Sequence, residues 1–243
     1  MNRLYLFLVF IAIGFSCGRQ QKGGTFIIHG SFSNSNGEKV VLAEMDVKEV
    51  NSLDSASIDK EGKYTFTHQL DQPGFYILIF PGGRHLILVM KKGEELFITG
   101  DLRDTNGVFN FSGSDESQLL YDFFQATMKN KIRIDSIKRV LRDHEGSDDF
   151  LRFSMTADSL FLRISEDQKK SEKEFIDRNP ESLASLIVLN YSFGPKPVLT
   201  MEEDMSYYQK LTGLYRIYPE NKHVIFHLER IKLFINNHKN TGN

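Results

Sequence analysis

The spacing of apolar residues changes near residue 112, and this change constrains the fold more than any other feature. Before it, short runs rich in β-branched and aromatic residues are separated by turn residues, with strands about 8–12 residues apart. After it, apolar residues recur every three to four positions, which is the spacing of an amphipathic helix. The sequence therefore predicts an α+β protein, with an N-terminal antiparallel β-sandwich followed by an α-helical domain.

Eight strands are expected in the N-terminal half. The runs 75–80 and 85–90 are almost wholly apolar, which predicts a hairpin that is buried on both faces. The run 52–59 alternates instead, and strict alternation places Leu53 and Ala56 on opposite faces. The expected strands cover residues 25–32, 39–45, 52–59, 63–68, 75–80, 85–90, 96–99 and 108–111.

The helical half opens at Ser114, whose side chain is expected to cap the first helix. A break at 144–147 precedes a second helix over residues 148–178. Pro180 is expected in the first turn of a third, strongly apolar helix, because proline is favoured there. The last two helices are expected at residues 201–217 and 221–237.

Residues 1–16 carry the parts of a secretory signal peptide. A basic residue, Arg3, precedes an apolar run over 4–15, and a small residue, Ser16, stands directly before Cys17. The apolar run is too short for a spanning helix, which needs about 20 residues. Bacterial lipoprotein signals place a cysteine at the first mature position, so Cys17 is the expected lipidation site. The alternative is an ordinary signal peptide that is cut near a free thiol.

The residues that follow Cys17 are polar and are expected to form a tether over 17–24. They lack the aspartate that retains many lipoproteins at the inner membrane, and they lack the acidic cluster associated with surface export. We therefore expect a lipid anchor in the cell envelope, at the outer membrane and facing the periplasm. The remaining chain divides into a sandwich domain at 25–112, a helical domain at 113–238 and a flexible tail at 239–243.

Composition excludes some partners and some chemistry. The chain has a net charge of −2 at pH 7 and no basic cluster, so nucleic acid is not an expected partner. Its single cysteine rules out an internal disulfide. No motif indicates a cofactor, and none is expected. The sequence leaves the oligomeric state open.

Two histidines are the first candidates for a metal site. His223 and His227 lie four residues apart on the last expected helix and would share a face, as helical metal ligands do. Val224 stands where a zinc-protease motif needs glutamate, and the sequence places no third ligand. We therefore expect no metal site, and two half-exposed histidines on an amphipathic helix.

Asp54 and Ser55 are the candidates for a hydrolytic pair, with any histidine as the base. Ser55 lies in an alternating strand rather than at a strained strand-to-helix turn, so a structural role is expected for Asp54. Gly82 and Gly83 belong to a hairpin turn without the strand–glycine–helix pattern of a phosphate site. No catalytic residue is expected from these patterns.

The aromatic residues are the candidates for a sugar platform. Phe75, Tyr76 and Phe80 follow the burial pattern of their strand and are expected in the core. An exposed aromatic row on the sandwich is the alternative that would indicate glycan binding.

The order of several short motifs resembles a known domain of unknown function, found at the N-terminus of many Bacteroidetes-type lipoproteins. In that family the domain is commonly followed by a helical segment and then by a thioredoxin-like domain of the AhpC-TSA class. The resemblance covers residues 25–237. Its motifs are Phe26-Ile27-Ile28-His29-Gly30, Leu53-Asp54-Ser55-Ala56, Tyr64-Thr65-Phe66, Phe75-Tyr76, Lys92-Gly93-Glu94, Ile98-Thr99-Gly100-Asp101, Ser112-Gly113-Ser114 and Asn179-Pro180-Glu181-Ser182.

The resemblance implies redox chemistry for the family but not for this chain. A thioredoxin-like site needs Cys-x-x-Cys or at least one reactive cysteine. The sequence contains only Cys17, so we expect the thioredoxin-like domain to be absent here.

The sequence thus predicts a non-enzymatic, membrane-anchored lipoprotein that acts as a binding or scaffolding module. One alternative is an accessory subunit or truncated relic of a thiol-disulfide oxidoreductase, with a thioredoxin-like protein as its partner. Another is a glycan- or ligand-binding module.

Overall fold

The computed structural model describes residues 24–35, 37–104, 108–193 and 196–240, which form strands and then helices. The strands are β1 (Gly24–Ser33), β2 (Lys39–Met45), β3 (Val50–Ser57), β4 (Lys63–Leu70), β5 (Gly74–Ile79), β6 (His85–Met90), β7 (Glu95–Asp101) and β8 (Phe109–Ser112). The helices are α1 (Asp115–Asp143), α2 (Phe150–Arg178), α3 (Ala184–Leu189), α4 (Met201–Lys210), α5 (Leu214–Ile217) and α6 (Lys222–Asn240). The predicted α+β class is confirmed.

The strands form two four-stranded sheets that pack against each other. The first sheet has the order β4–β1–β7–β8, and the second has the order β3–β2–β5–β6. The paired strands run antiparallel apart from β1 and β7, which are parallel with Gly30 opposite Ile98. Side chains from both sheets share one core, in which Phe26, Leu42 and Leu78 are fully buried. The sandwich architecture is therefore that expected, with one parallel pair added.

Strand β3 departs from the strict alternation that the sequence predicts. Leu42 pairs with Asp54 and the next residue of β2 pairs with Ser52, so Leu53 is an extra residue in the ladder. A bulge of this kind changes which face the following residues occupy. Leu53 and Ala56 consequently both pack against the sandwich core, and the prediction that they lie on opposite faces is wrong.

The hairpin of β5 and β6 is buried on both faces, as predicted. Tyr76 and Leu88 point into the sandwich core, whereas Phe75 and Val89 belong to a second core that they share with the helices. The helical half thus covers the outer face of the second sheet. This arrangement explains why both strands read as nearly continuous apolar runs.

A polar clasp joins the two halves at the start of α1. We call Glu116, Lys91, Ser182 and Ala184 the clasp. The Glu116 carboxylate lies 3.1 Å from the Lys91 ammonium and accepts hydrogen bonds from the Ser182 hydroxyl and the Ala184 backbone N–H. Glu116 is only 8% exposed, so these partners offset the loss of water around its charge. The clasp fixes α3 relative to the sandwich.

The helix termini agree with the sequence at some positions and not at others. Ser114 is the N-cap of α1, as predicted, and its hydroxyl accepts the Ser117 N–H. The prediction that the third helix begins around Pro180 is wrong, since α3 begins at Ala184. The reason is tertiary: the clasp carboxylate and the Ser182 hydroxyl satisfy the Ala184 N–H, so the helix starts there.

The C-terminal helices also show local differences. The expected helix over 201–217 is divided by a 3-10 turn at Leu211–Gly213. The last helix begins after Asn221, whose side-chain oxygen accepts the N–H groups of His223 and Val224. It continues through residues 239 and 240 of the expected tail.

Cys17 and the predicted signal peptide lie outside the described residues, as do residues 241–243. Among the helices that are described, none is both long and apolar enough to cross a membrane.

Candidate functional site

A cleft of about 1030 Å³ lies between the outer face of the second sheet and the helices. Its floor includes Phe75 and Ile87 from β5 and β6, and one wall includes Phe124 and Met128 of α1. The other wall is α6, and the segment from α3 to Phe193 closes one end. Ligand sites in proteins are commonly concave and mostly apolar, with a few polar groups that orient the ligand. The cleft has this character.

Specific hydrogen bonds hold the walls in place. The Ser117 hydroxyl of α1 donates to the Val89 carbonyl of β6 at 2.8 Å, and the Val89 N–H donates back to the same hydroxyl at 3.1 Å. On the opposite wall, the Asn221 amide donates to the Pro73 carbonyl at 2.6 Å. Lys222 forms an ion pair with Glu44 at 2.7 Å. The two walls are therefore tied separately to the same sheet.

His227 is the most buried polar group that lines the cleft. Its side chain is on α6 and the residue is 3% exposed. Its Nε2 lies 2.8 Å from the Tyr208 carbonyl oxygen, and a carbonyl only accepts, so Nε2 carries the hydrogen. Burial lowers the pKa of His227, which favours the neutral ring. The Nδ1 atom is then an acceptor, and it has no hydrogen-bond partner.

His223 lies one helical turn earlier and has a similar arrangement. Its ring packs edge-on against Phe75 with 4.5 Å between the ring centroids. Burial, together with the charge of Lys222, lowers its pKa, while a hydrogen bond with the Met45 backbone opposes this effect. The buried Nε2 atom has no partner. Two neutral imidazoles thus line the same wall, each with one unpaired nitrogen.

Two cationic side chains contact residues 190–193, the segment that follows α3 and closes one end of the cleft. The Lys138 ammonium donates to the Phe193 carbonyl at 2.7 Å, and the Arg230 guanidinium donates to the Asn190 side-chain oxygen at 2.7 Å. Both acceptors are neutral, so neither bond cancels a charge. Lys131 also lines this part of the cleft, where it is paired with an aspartate of its own helix.

The arrangement corrects one expectation about the histidines. His223 and His227 were expected to be half-exposed, but His227 is buried because α4 packs over it and supplies the Tyr208 carbonyl. The described residues contain no group of three or more histidine, cysteine, aspartate or glutamate side chains that could hold a metal ion. Each histidine of the pair retains one buried nitrogen without a hydrogen-bond partner.

The other sequence candidates lie away from the cleft or serve local structure. Asp54 accepts the Ser55 backbone N–H at 2.7 Å on β3, an edge strand, and both residues are exposed. Gly82 and Gly83 both adopt positive φ in the β5–β6 turn, at one end of the cleft. Phe75, Tyr76 and Phe80, the candidate sugar platform, are at most 3% exposed.

One aromatic ring is exposed on the outer face of the first sheet. Phe97 is 44% exposed and stacks on His29 with 4.8 Å between ring centroids. His29 also contacts the Thr65 hydroxyl at 3.2 Å and the Glu95 carboxylate at 2.8 Å. These residues occupy neighbouring strands of an open sheet face and do not form the aromatic row that a glycan platform was expected to show.

Residues 26–120 match a family model described as a domain of unknown function (DUF4369). This match confirms the N-terminal part of the resemblance that the motifs indicated. The curated proteins contain no match to this chain. The matched region includes β2 to β8, most of β1 and the start of α1, so it supplies the floor of the cleft. The walls from α3 and α6 lie beyond the matched residues.

Sequence reasoning missed the cleft, although two signals pointed towards it. The nearly continuous apolar runs of β5 and β6 required a cover on the outer face of the sandwich. The helix face that carries His223, His227 and Arg230 combined polar groups with apolar neighbours. The sequence does not show how α1, α3 and α6, which are far apart along the chain, are placed relative to one another.

Proposed function

We propose that this protein is a lipid-anchored envelope lipoprotein that acts as a non-catalytic binding module, with the cleft as its binding site. The observation that carries the binding role is His227, which lines the cleft and whose buried Nδ1, an acceptor, has no hydrogen-bond partner. A buried polar atom without a hydrogen bond is costly, by about 1–3 kcal/mol. A ligand that donates to this atom would recover that free energy. The cleft volume also lies at the upper end of the usual range for ligand sites, about 300–1,000 Å³.

The anchor is proposed from the sequence around Cys17. Two or three acyl chains at this residue would hold the protein stably on a bilayer, whereas one chain anchors only marginally. The chain from Cys17 to Gly24, where β1 begins, reaches at most about 25 Å at roughly 3.5 Å per residue. The sandwich would therefore lie close to the membrane surface.

The anchor is tested by replacing the cysteine. We expect Cys17→Ala to abolish labelling with radioactive palmitate and to release the protein from the membrane fraction. Ser16→Ala is the matched control, since it keeps a small residue before the cysteine and should retain the label. Unchanged membrane retention and labelling in Cys17→Ala would contradict the lipoprotein assignment.

The binding role is tested with 1-anilinonaphthalene-8-sulfonate, an apolar anionic dye whose emission rises in apolar sites. We expect the full chain to bind it saturably. Met128→Trp should weaken this binding, because the larger ring fills the cleft. Ala126→Trp places the same ring on the exposed side of α1 and should leave it unchanged. Equal dye binding by both variants would place the dye elsewhere and contradict the proposal.

The alternatives from the sequence have weaker support. A glycan platform has the single exposed ring of Phe97 on the sheet face. A role as the accessory partner of a thioredoxin-like protein rests on the family resemblance, and it stays a prediction. Neither alternative explains the unpaired nitrogens that line the cleft.

A further inference from the structure

We propose that the ligand of the cleft is an anionic amphiphile: a hydrocarbon chain with an acidic head group and a hydroxyl close to that head. The inference rests on the proposed binding function and specifies its chemistry. Three features of the cleft carry it: the cations at one end, the imidazole acceptors on one wall and the apolar floor. Each feature selects a different part of the ligand.

The two cations at the end of the cleft favour a ligand with a negatively charged head group. Lys138 approaches the segment after α3 from one wall and Arg230 approaches it from the other, so both charges lie at the same end of the cleft. Their hydrogen-bond partners there are a backbone carbonyl and a side-chain amide, which leave both positive charges in place. The acidic side chains that line the cleft are Asp46 and Asp135, and each is already paired with a lysine. The end of the cleft therefore favours a carboxylate or a phosphate.

The neutral imidazoles favour a ligand that carries a hydrogen-bond donor. His223, His227 and Arg230 occur at positions i, i+4 and i+7 of α6, so they lie along one face of the helix. Arg230 lies three positions after His227, and at 1.5 Å per residue this is about 5 Å along the helix axis. A hydroxyl a few bonds from the acidic head would thus lie level with His227 while the head group contacts Arg230, and the buried Nδ1 would become accessible to that hydroxyl on binding. A neutral imidazole nitrogen cannot receive a carboxylate, because both would be acceptors.

The floor and the α1 wall select the hydrocarbon chain. Phe75, Ile87, Phe124 and Met128 line the cleft with apolar surface. Burial of apolar surface contributes about 25 cal/mol per Å². A flexible alkyl chain can follow this surface, and a methionine on the wall can adapt to its shape.

The test compares three ten-carbon probes by isothermal titration. The full chain is held in lipid nanodiscs, with empty nanodiscs as the blank. The probes are 3-hydroxydecanoate, decanoate and decyltrimethylammonium, which share a chain length and differ in charge or in the hydroxyl. We expect 3-hydroxydecanoate to bind about threefold to tenfold more tightly than decanoate, the range of one net hydrogen bond. The cationic probe should bind more weakly than either.

Two variants locate the head group. Arg230→Gln and Lys138→Gln should each weaken decanoate binding by about threefold to tenfold, since each group is partly exposed and interacts with the head through solvent-screened charge. Lys232→Gln is the matched control, because Lys232 is exposed on the same helix outside the cleft. The assignment of an acidic head would be overturned if Arg230→Gln and Lys138→Gln bound decanoate as tightly as the wild type does. It would also be overturned if the wild type bound decanoate and decyltrimethylammonium equally tightly.

A spectroscopic measurement locates the hydroxyl without altering a buried residue. The imidazole ¹⁵N resonance of His227 Nδ1 should shift when 3-hydroxydecanoate is added, and it should shift much less with decanoate. Identical shifts, or identical affinities for the two anions, would overturn the hydroxyl assignment. If the dye binds and the three probes all bind with the same affinity, the ligand is not an anionic amphiphile with a hydroxyl, although the cleft is still a binding site. Failure of every probe, with the dye included, would refute the binding function itself.

Discussion

Replacing Glu172 with glutamine should remove a large pH dependence from the stability of the protein. Glu172 is fully buried on α2, where its Oε1 accepts a hydrogen bond from Gln168 at 3.1 Å. Gln168 in turn accepts one from Asn130 at 3.1 Å. Burial raises the pKa of Glu172 from 4.5 to about 8, with the nearby Asp204 acting in the same direction. The folded protein therefore holds this proton at pH 7.

The direction of the effect follows from the proton balance. Between pH 4.5 and pH 8 the folded state keeps the Glu172 proton, whereas the unfolded chain releases it. Unfolding then releases a proton, so stability falls as the pH rises through this window. One proton corresponds to about 1.4 kcal/mol per pH unit, which amounts to about 2–3 kcal/mol between pH 5 and pH 7. The loss levels off above pH 8, where both states are ionised.

Glu172→Gln keeps the shape of the side chain and cannot ionise. We expect the free energy of unfolding of the variant, relative to that of the wild type, to rise by about 2–3 kcal/mol from pH 5 to pH 7. Urea denaturation at several pH values, followed by circular dichroism, measures this margin. Glu166→Gln, at an exposed position on the same helix, is the control and should show a nearly constant margin. A constant margin for Glu172→Gln as well would show that Glu172 is ionised in the folded protein at pH 7.

Three further substitutions test the fold by urea denaturation. Glu116→Ala should lower stability by about 1–3 kcal/mol, because it removes the carboxylate that accepts the Ser182 hydroxyl and the Ala184 N–H; an unchanged free energy of unfolding would contradict the clasp. Tyr121→Phe should cost about 1–3 kcal/mol, since its hydroxyl accepts the buried Phe109 N–H at 2.6 Å, and an unchanged midpoint would contradict this. Gly113→Ala should destabilise by more than 1 kcal/mol, because φ is +95° and a Cβ would meet the Glu95 carbonyl oxygen at 1.9 Å. Tolerance of alanine there would show that the turn can rearrange.

The strands were largely predictable because their signals are local. The bounds of β2 and β6 match the expected runs 39–45 and 85–90, and the double-sided burial of β6 followed from its apolar sequence. The face of β3 on which Leu53 lies was predicted wrongly, because a bulge adds one residue to the ladder. No particular residue type marks the position of such a bulge. Sequence alternation alone cannot show where such a residue is inserted.

The site was less predictable because its properties depend on contacts between distant segments. His227 was expected to be half-exposed, and it is buried by Tyr208 of a different helix. Pro180 carried a local helix signal, but the start of α3 is set by Glu116, more than sixty residues earlier. Periodicity identifies which face of a helix is apolar, and it does not identify which other elements cover that face.

A pair of single-tryptophan reporters tests most directly whether the cleft is the binding site. The chain contains no tryptophan, so each substitution introduces one fluorophore. Phe124→Trp places it on the cleft wall, and Phe161→Trp places it on α2, where the native ring is 38% exposed and lies outside the cleft. We expect a saturable change in emission for Phe124→Trp when 3-hydroxydecanoate is added, and no change for Phe161→Trp. No response at position 124, or equal responses at both positions, would contradict this expectation.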